Sequence, residues 1–184
     1  MQFTRMRQEM VQRQIASRGV SDERVLEAME AVPRERFIPE HLHEFAYDDT
    51  ALPIEAGQTI SQPFMVALMA ESLELSPEDR VLEVGAGSGY AAAVLGRIAA
   101  EVYAVERHGE LVDLANERLS KLGYENVAVK QADDELGWPE HAPYDAITVA
   151  AGGPRIADSL LRQLAIGGRL VMPVGATQRT QELV

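Results

Sequence analysis

Apolar residues near the start of the chain recur at helical spacing. Residues 3–17 place one apolar side chain every three to five positions, which is the period of a helix with a single buried face. Gly19 is a natural end for this helix. Ser21 is a favoured N-cap residue, and it predicts a second, short helix that ends before Pro33. The pattern therefore predicts an N-terminal helical extension.

The segment from residue 37 to residue 62 has no helical or strand period. Pro39, Pro53 and Gly57 interrupt it, and a connection of this length in a compact domain is more often functional than idle. Pro63 is acceptable in the first turn of a helix, and helical spacing continues from there to residue 76. We therefore expect residues 37–62 to form a functional loop that leads into a third helix.

Beyond Arg80 the pattern changes to short apolar runs that alternate with helical stretches. This alternation is typical of βαβ units. The predicted strands are Val81–Val84, Val102–Val105, Val127–Val129, Ala146–Val149 and Leu170–Val174, and the predicted helices are Tyr90–Ala99, Leu111–Leu122 and Ile156–Leu164. The sequence thus predicts an α/β, Rossmann-like fold: a doubly wound, mostly parallel sheet that binds ligands at the carboxyl ends of its strands.

Length and composition favour one domain. The chain has 184 residues, of which 46% are hydrophobic and 25% are charged, so it can bury a substantial core. We expect a single domain over residues 1–184. In it, residues 1–79 supply the N-terminal helices and the substrate loop, and residues 80–184 supply the α/β core.

Charge and missing residue types exclude several function classes. A formal net charge of −12 and the absence of a Lys/Arg cluster argue against nucleic acid as a partner. The chain has a polar start and no run of about 18 apolar residues, so we expect a cytoplasmic protein with no membrane partner. Cysteine is absent and the four histidines are scattered, which predicts no metal site. We expect a monomer, although the sequence leaves an oligomer open.

The strongest local motif follows the first predicted strand. Gly85, Gly87 and Gly89 alternate between this strand and the next helix, and glycine allows a tight turn and a close approach of the backbone to a ligand. The dinucleotide fingerprint needs a further glycine where this chain has Tyr90, so a pyrophosphate cradle is disfavoured. An ordinary glycine turn remains the alternative for such a short motif.

Glu106 ends the next predicted strand, where a carboxylate can accept hydrogen bonds from both hydroxyls of a ribose. The alternative is that Glu106 is a solvated surface residue that binds no ligand. Together, the glycine segment and this acid resemble the cofactor site of class I S-adenosylmethionine-dependent methyltransferases over residues 80–174. The resemblance implies a cofactor site of eight residues. They are Glu83, Gly85, Gly87, Ser88, Gly89, Glu106, Asp133 and Asp134. It places Glu83 near the methionine end of the cofactor and Asp133 near the adenine.

A second resemblance narrows the substrate. Residues 46–54 read AYDDTALPI and residues 57–63 read GQTISQP. Further matching segments are GWPE at 137–140, APYDAI at 142–147 and GGRLVMPVG at 167–175. Over nearly the whole chain these segments are similar to the protein-L-isoaspartate O-methyltransferase family. The family implies transfer of a methyl group from S-adenosylmethionine to the free carboxylate of L-isoaspartyl and D-aspartyl residues in damaged proteins or peptides, with S-adenosylhomocysteine as product.

The resemblance also implies the residues of the acceptor site. It places the catalytic serine at Ser61, with Thr59, Ile60 and Gln62 as substrate-binding neighbours. The alternative is that these residues only cap a helix. An isoaspartyl carboxylate with a pKa near ~4 is already ionised at neutral pH, so no general base is needed. Positioning is the predicted mechanism, with Ser61 and N–H groups of the helix start orienting the anion.

The chain departs from the family in three places. Ala132-Asp133-Asp134 replaces Gly-Asp-Gly, and the second change is costly if residue 134 needs a positive φ. Residues 150–154 read AAGGP instead of TAAAP, which predicts a looser loop. The chain stops at Val184, where family members continue, so we expect the C-terminal antiparallel strands of the family to be missing. Two alternatives stay open: a methyltransferase for another carboxylate or small molecule, and a non-catalytic cofactor-binding or interaction domain.

Overall fold

The structure, a computed structural model, describes residues 2–175 and 182–184. The helices are α1 (Gln2–Met10), α2 (Glu23–Ala31), α3 (Pro63–Ser72), α4 (Tyr90–Gly96), α5 (Gly109–Lys121) and α6 (Asp158–Gln163). The strands are β1 (Leu52–Pro53), β2 (Thr59–Ile60), β3 (Arg80–Val84), β4 (Glu101–Glu106), β5 (Val127–Gln131), β6 (Tyr144–Val149), β7 (Leu164–Val171), β8 (Pro173–Val174) and β9 (Glu182–Leu183). The predicted strands and helices of the α/β region have counterparts whose ends differ by a few residues, except that the predicted strand Leu170–Val174 is divided between β7, which already begins at Leu164, and β8, which belongs to a separate sheet.

Five strands form the central sheet in the order β5-β4-β3-β6-β7, and all their pairings are parallel. Glu83 in β3 lies opposite Ala104 in β4 and Thr148 in β6. The chain therefore leaves β3 for one neighbour and later returns on the other side. Ligands bind in the crevice that such a switch creates at the carboxyl ends of the strands. The predicted Rossmann-like fold is confirmed.

The two faces of the sheet are covered differently. One face packs against α4 and α5 and merges with the buried residues of the N-terminal helices into a single apolar cluster. The other face has a smaller cluster that includes Leu82, Tyr144, Ile147 and Leu160. Within residues 2–175 and 182–184, the six-residue α6 and several loops pack against this second face.

The N-terminal extension is helical, as the periodicity predicts. α1 continues through a π-helical turn and a short 3-10 turn, and Gly19 ends the segment in the left-handed conformation with φ +107°. The predicted N-cap of α2 is wrong by one residue. Asp22, and not Ser21, is the cap, because its carboxylate accepts the N–H of Arg24 at 2.9 Å. The backbone N–H of Ser21 instead donates to the carboxylate of Glu71 at 2.6 Å.

The C-terminal segment forms a small sheet of its own. β8 pairs with β9 in an antiparallel, two-stranded sheet, and Met172 and Val184 exchange backbone hydrogen bonds of 2.9 and 3.0 Å. A short antiparallel pair is therefore present among the described C-terminal residues, and the expectation that the further antiparallel strands of the family are missing is not tested by it. The loop that follows β6 is held by the same unit, because Gly153 donates to Pro173 at 3.2 Å and accepts from Gly175 at 3.0 Å. The expectation of a loosened loop is not met at Gly153.

Within the described part of the chain, none of the helices has both the length and the apolar character to cross a bilayer.

Candidate active site

A cleft of about 710 Å³ opens at the carboxyl ends of the central strands. Its size is within the range of small-molecule sites. Four segments that are distant in sequence meet there. They are residues 58–61 of the predicted loop, residues 83–88, 90 and 91 around the glycine motif, residues 105–108 at the end of β4, and residues 150–152 after β6, with Val66, Ala132 and Leu136 completing the lining. The cleft thus brings the two sequence motifs together.

The glycine motif has the backbone that its sequence predicts. Gly85, Gly87 and Gly89 have φ values of +95°, +53° and +87°, which strain any residue with a Cβ atom. A Cβ atom on Gly85 would also lie 3.4 Å from the Cβ of Ala150 on the opposite wall. Any larger side chain at residue 85 would therefore narrow the cleft between β3 and β6.

Hydrogen bonds within the protein already occupy most N–H groups of this motif. The N–H groups of Gly85 and Ala86 donate to Val105 at 2.8 and 3.1 Å, and that of Gly89 donates to Ala86 at 2.8 Å. A phosphate site depends on several free N–H groups that point to the ligand. The structure therefore supports the sequence-based argument against a pyrophosphate ligand.

Glu106 is a buried carboxylate with partly satisfied oxygens. One oxygen accepts the N–H of Gly87 at 2.9 Å and the other accepts the N–H of His108 at 3.0 Å. Each carboxylate oxygen has two lone pairs, so both oxygens retain an acceptor site. These bonds fix the carboxylate at the mouth of the glycine motif, where it can accept two vicinal hydroxyls at once.

Glu83 is also buried, but its carboxyl group has fewer hydrogen-bond partners than that of Glu106. Its side chain is 1% exposed, and its Oε2 atom has no hydrogen-bond partner among the described residues. Burial, together with the negative charge of Glu106, raises the pKa of Glu83 to about 8. A buried acceptor without a partner is costly. A cationic or N–H-bearing ligand in the cleft would supply the missing partner.

The predicted acceptor residues lie on the other side of the cleft. Thr59 and Ile60 form β2, which pairs with β1 in a short antiparallel hairpin. Ser61 follows β2 and lines the cleft with an exposed side chain. Its hydroxyl forms no hydrogen bond in the part of the chain that the structure describes. It therefore remains available to a ligand.

The capping alternative for Ser61 finds no support in this geometry. The N-cap of α3 is Gln62, whose side chain makes no cap hydrogen bond. The N–H of Phe64 is instead capped by the carboxylate of Asp49, at 3.0 Å. Pro63 has no N–H, and the N–H of Met65 donates to Gln62 at 3.1 Å. From Pro63 to Met65 the N–H groups of α3 are therefore missing or occupied, and the orientation of a bound anion by N–H groups of Thr59, Ile60 and Ser61 stays a prediction.

Four predicted site residues lie outside the lining of the cleft. Gln62 lies behind Ser61. Gly89 instead packs against α5, where an added Cβ atom would lie 3.2 Å from the Cβ of Ala115. Asp133 is 69% exposed and pairs with Lys130 at 2.7 Å. The φ of Asp134 is negative, since positive φ outside glycine occurs only at Ala56 and Glu74 among the described residues. The backbone strain that the sequence suggested at Asp134 is therefore absent. The roles of these four residues in binding cofactor or substrate stay predictions.

The cleft also contains residues to which the sequence assigned no role in the site. Arg107 and His108 directly follow Glu106 and line the same wall. Residues 150–152 follow β6, the neighbour of β3, so the rule that ligands bind at the switch point would have found them. Gln58 was inside the predicted loop but carried no motif of its own. Of these additions, residues 150–152 contribute small side chains to the lining.

The residues fit a nucleoside that carries a positively charged chain. Glu106 offers acceptors for a ribose diol, Glu83 offers an unpaired carboxylate oxygen, and the glycine turn leaves room for a ligand close to the backbone. None of the described residues forms a group of three or more His, Asp or Glu side chains that would hold a metal ion. S-adenosylmethionine fits this donor set.

Comparison with known proteins points to a family of methyltransferases. The profile of the protein-L-isoaspartate(D-aspartate) O-methyltransferase family matches residues 5–184. A protein-L-isoaspartate O-methyltransferase from Rhodopseudomonas palustris is 61% identical over 175 residues, which are 95% of this chain and 80% of the relative. The similarity is therefore not confined to the glycine motif.

Two solved structures are similar to the whole fold. One is a protein-L-isoaspartate O-methyltransferase with a TM-score of 0.85 and 33% identity, and the match covers 96% of this chain and 58% of that protein. The other is a Plasmodium falciparum protein described as a protein-L-isoaspartate O-methyltransferase, in complex with S-adenosyl-L-homocysteine. Its TM-score is 0.81 at 27% identity, with coverage of 96% of this chain and 87% of that one. The fold, the cleft and the sequence match together show that the chain belongs to the protein-L-isoaspartate(D-aspartate) O-methyltransferase family.

Proposed function

We propose that the protein transfers a methyl group from S-adenosylmethionine to the free carboxylate of L-isoaspartyl and D-aspartyl residues in damaged proteins or peptides, which initiates their repair. The observation that carries the proposal is the single cleft that joins Glu106 and the glycine motif to the unbonded hydroxyl of Ser61. Family membership supports the same reaction. The bound cofactor would supply an electrophilic methyl group that an ionised carboxylate takes up by direct displacement.

On the cofactor side, Glu106 and Glu83 have different tasks. Glu106 is already held by two backbone N–H groups, so it binds a ribose diol without having to reorganise. Glu83 is buried and unpaired, so an ammonium or sulfonium charge nearby would stabilise its ionised form. The two carboxylates thereby fix the orientation of the nucleoside and of the chain that carries the methyl group.

On the acceptor side, Ser61 is the orienting group. Its hydroxyl is free to donate one hydrogen bond to the acceptor carboxylate and so to turn the other oxygen toward the methyl group. Proton abstraction is unnecessary, because the acceptor is ionised at neutral pH. One neutral donor is also the better choice, since several strong hydrogen bonds would weaken the nucleophile. Apolar lining from Ile60, Val66 and Ala91 helps to exclude water.

A peptide pair tests the proposal. We expect methyl transfer from labelled S-adenosylmethionine to a peptide with one isoaspartyl residue, and none to the same peptide with ordinary aspartate. Transfer to small carboxylic acids, without transfer to the isoaspartyl peptide, would support the alternative of a different acceptor. Cofactor binding without transfer to any carboxylate would support a non-catalytic binding domain. Either of these two outcomes would overturn the proposal.

A further inference from the structure

The hairpin formed by residues 52–60 lies across the glycine motif. β1 and β2 pair through Leu52 with Ile60 and through Pro53 with Thr59, and the N–H of Ile54 donates to Gln58 at 2.9 Å. The end of the Ile54 side chain approaches the glycine motif, since it would lie 3.7 Å from a Cβ atom on Gly87. The hairpin therefore connects the acceptor wall of the cleft with the cofactor wall.

The hairpin is too small to hold its own position. Each strand has two residues, and isolated two-stranded hairpins are marginal in water. The turn between the strands is also strained. Ala56 has φ +55° and Gly57 has φ +65°, and the left-handed conformation costs a residue with a Cβ atom about 1 kcal/mol. Contacts outside the hairpin must therefore fix it.

Leu52, Ile54 and Ile60 pack in the main apolar cluster, and an ion pair joins the hairpin to α5. The guanidinium of Arg118 contacts a carboxylate oxygen of Glu55 at 2.7 Å, and the two side chains are only 15% and 26% exposed. A half-buried pair of this kind is screened less by solvent and salt than a surface pair. α5 begins three residues after Glu106, so the same helix is tied at its start to the cofactor side of the cleft.

We propose that Glu55 and Arg118 are positioning residues that hold the hairpin on α5, and so set the distance between the acceptor wall at Thr59–Ser61 and the cofactor wall. Neither residue lines the cleft, and the pair acts through the hairpin. The expected effect on catalysis rests on the proposed function. The anchoring of the hairpin by the ion pair does not depend on the proposed function.

Three substitutions test this inference on the intact protein. Glu55→Gln removes one charge of the pair with little change in shape, Arg118→Gln removes the other charge together with the guanidinium group, and Arg118→Lys keeps the charge but not the planar guanidinium. The matched control is Lys121→Gln, because Lys121 pairs with Glu117 on the same helix while both side chains remain more than half exposed. An exposed pair of that type contributes little.

Two measurements separate anchoring from catalysis. We expect the rate of amide hydrogen exchange in residues 54–60 to rise about tenfold in Glu55→Gln and in Arg118→Gln, whereas the exchange rate in the central strands stays unchanged. We expect kcat for an isoaspartyl peptide to fall about tenfold, since displacement of the acceptor by a fraction of an ångström misaligns the reacting groups. The Kd for S-adenosylhomocysteine should change by less than about twofold, Arg118→Lys should recover part of kcat, and Lys121→Gln should match the parent protein.

The possible failures are distinguishable. An unchanged rate of hydrogen exchange in the hairpin of Glu55→Gln and Arg118→Gln would overturn the anchoring role, whatever the activity of these variants. Equal losses of kcat in Lys121→Gln and Arg118→Gln would also overturn it, because the effect would then be a general one of charge on α5. If the parent protein methylates no carboxylate, the proposed function fails. Faster hydrogen exchange in Glu55→Gln and Arg118→Gln would then still support the role of this ion pair in anchoring the hairpin.

Discussion

Glu83 and Glu106 are neighbouring carboxylates whose surroundings prepare them for different tasks. Glu106 has a backbone N–H on each oxygen, whereas Glu83 is buried with an unpaired oxygen and a pKa raised to about 8 by burial and by the charge of Glu106. In the ligand-free protein Glu83 therefore holds its proton at neutral pH. A cation that enters the cleft would favour the ionised form.

The raised pKa of Glu83 predicts a specific pH dependence of stability. Between its usual value of 4.5 and about 8, the folded protein keeps a proton that the unfolded chain releases. The contribution of Glu83 to the free energy of unfolding is therefore fully present below pH 4.5 and falls as the pH rises to about 8. Glu83→Gln removes this dependence. We expect the parent protein to lose roughly 4 kcal/mol more than the variant between pH 5 and pH 8.5.

Urea denaturation of the two ligand-free proteins at both pH values measures this difference. Parallel stability curves for the parent protein and Glu83→Gln would contradict the assignment of a raised pKa to this carboxyl group.

The free hydroxyl of Ser61 leads to a second prediction. Ser61→Ala should lower kcat/KM for an isoaspartyl peptide by roughly tenfold to a hundredfold, the value of one hydrogen bond to a charged group. Since the hydroxyl makes no hydrogen bond within the described residues, stability should be unchanged. Steady-state kinetics, with calorimetry for S-adenosylhomocysteine, measures the effect. Ser120→Ala, an exposed serine on α5, is the control, and a destabilised Ser61→Ala with normal kcat/KM would restore the structural interpretation.

Sequence reasoning identified the residues of the site that belong to contiguous motifs. The turn after β3 requires glycine, and the acid at the end of β4 follows from the strand pattern, so Gly85 and Glu106 were accessible from the sequence. Arg107 and residues 150–152 enter the cleft because the sheet topology brings them there, and no local pattern marks them. Asp49, which caps α3 from 15 positions away, was equally invisible. Such a contact depends on the tertiary fold and not on sequence spacing.

At the level of secondary structure elements, α5 organises the cofactor side of the molecule. It follows Glu106 directly, holds the hairpin through Arg118, and packs against the glycine motif at Gly89. Apolar alternation predicted the central strands and helices well, because their burial pattern is strong. The pattern failed where it is weak. The two-residue β9 carries no period, and at the start of α2 the sequence offers Ser21 and Asp22 side by side as equally suitable caps.

Packing between α4 and α5 predicts the cost of a methyl group at residue 89. Gly89→Ala combines a positive φ of +87° with a Cβ atom 3.2 Å from that of Ala115. Gly123→Ala is the matched control, since φ is +79° and no atom lies within 4 Å of the added Cβ. We expect Gly123→Ala to cost about 1 kcal/mol from backbone strain and Gly89→Ala about 1 to 3 kcal/mol more from overpacking.

Denaturant titrations of the two glycine variants give both values. Equal destabilisation of Gly89→Ala and Gly123→Ala would show that the helix contact is not tight.

At the scale of the whole molecule, the cleft is a consequence of topology. The chain leaves β3 in opposite directions to β4 and β6, and the opening between them receives the glycine motif, Glu106 and the segment before α3. Segments from the first, second and last thirds of the chain thereby converge on one volume. The sequence could name the individual motifs. Only the resemblance to a known family indicated that they face each other.

The central claim is that this cleft holds the nucleoside of S-adenosylmethionine with its sulfur facing Ser61. A crystal structure of the protein with S-adenosylhomocysteine tests it most directly. We predict a ligand whose ribose hydroxyls bind the carboxylate of Glu106 and whose sulfur points across the cleft to Ser61. A ligand bound elsewhere, or a cleft closed by protein side chains with no room for adenosine, would contradict the claim.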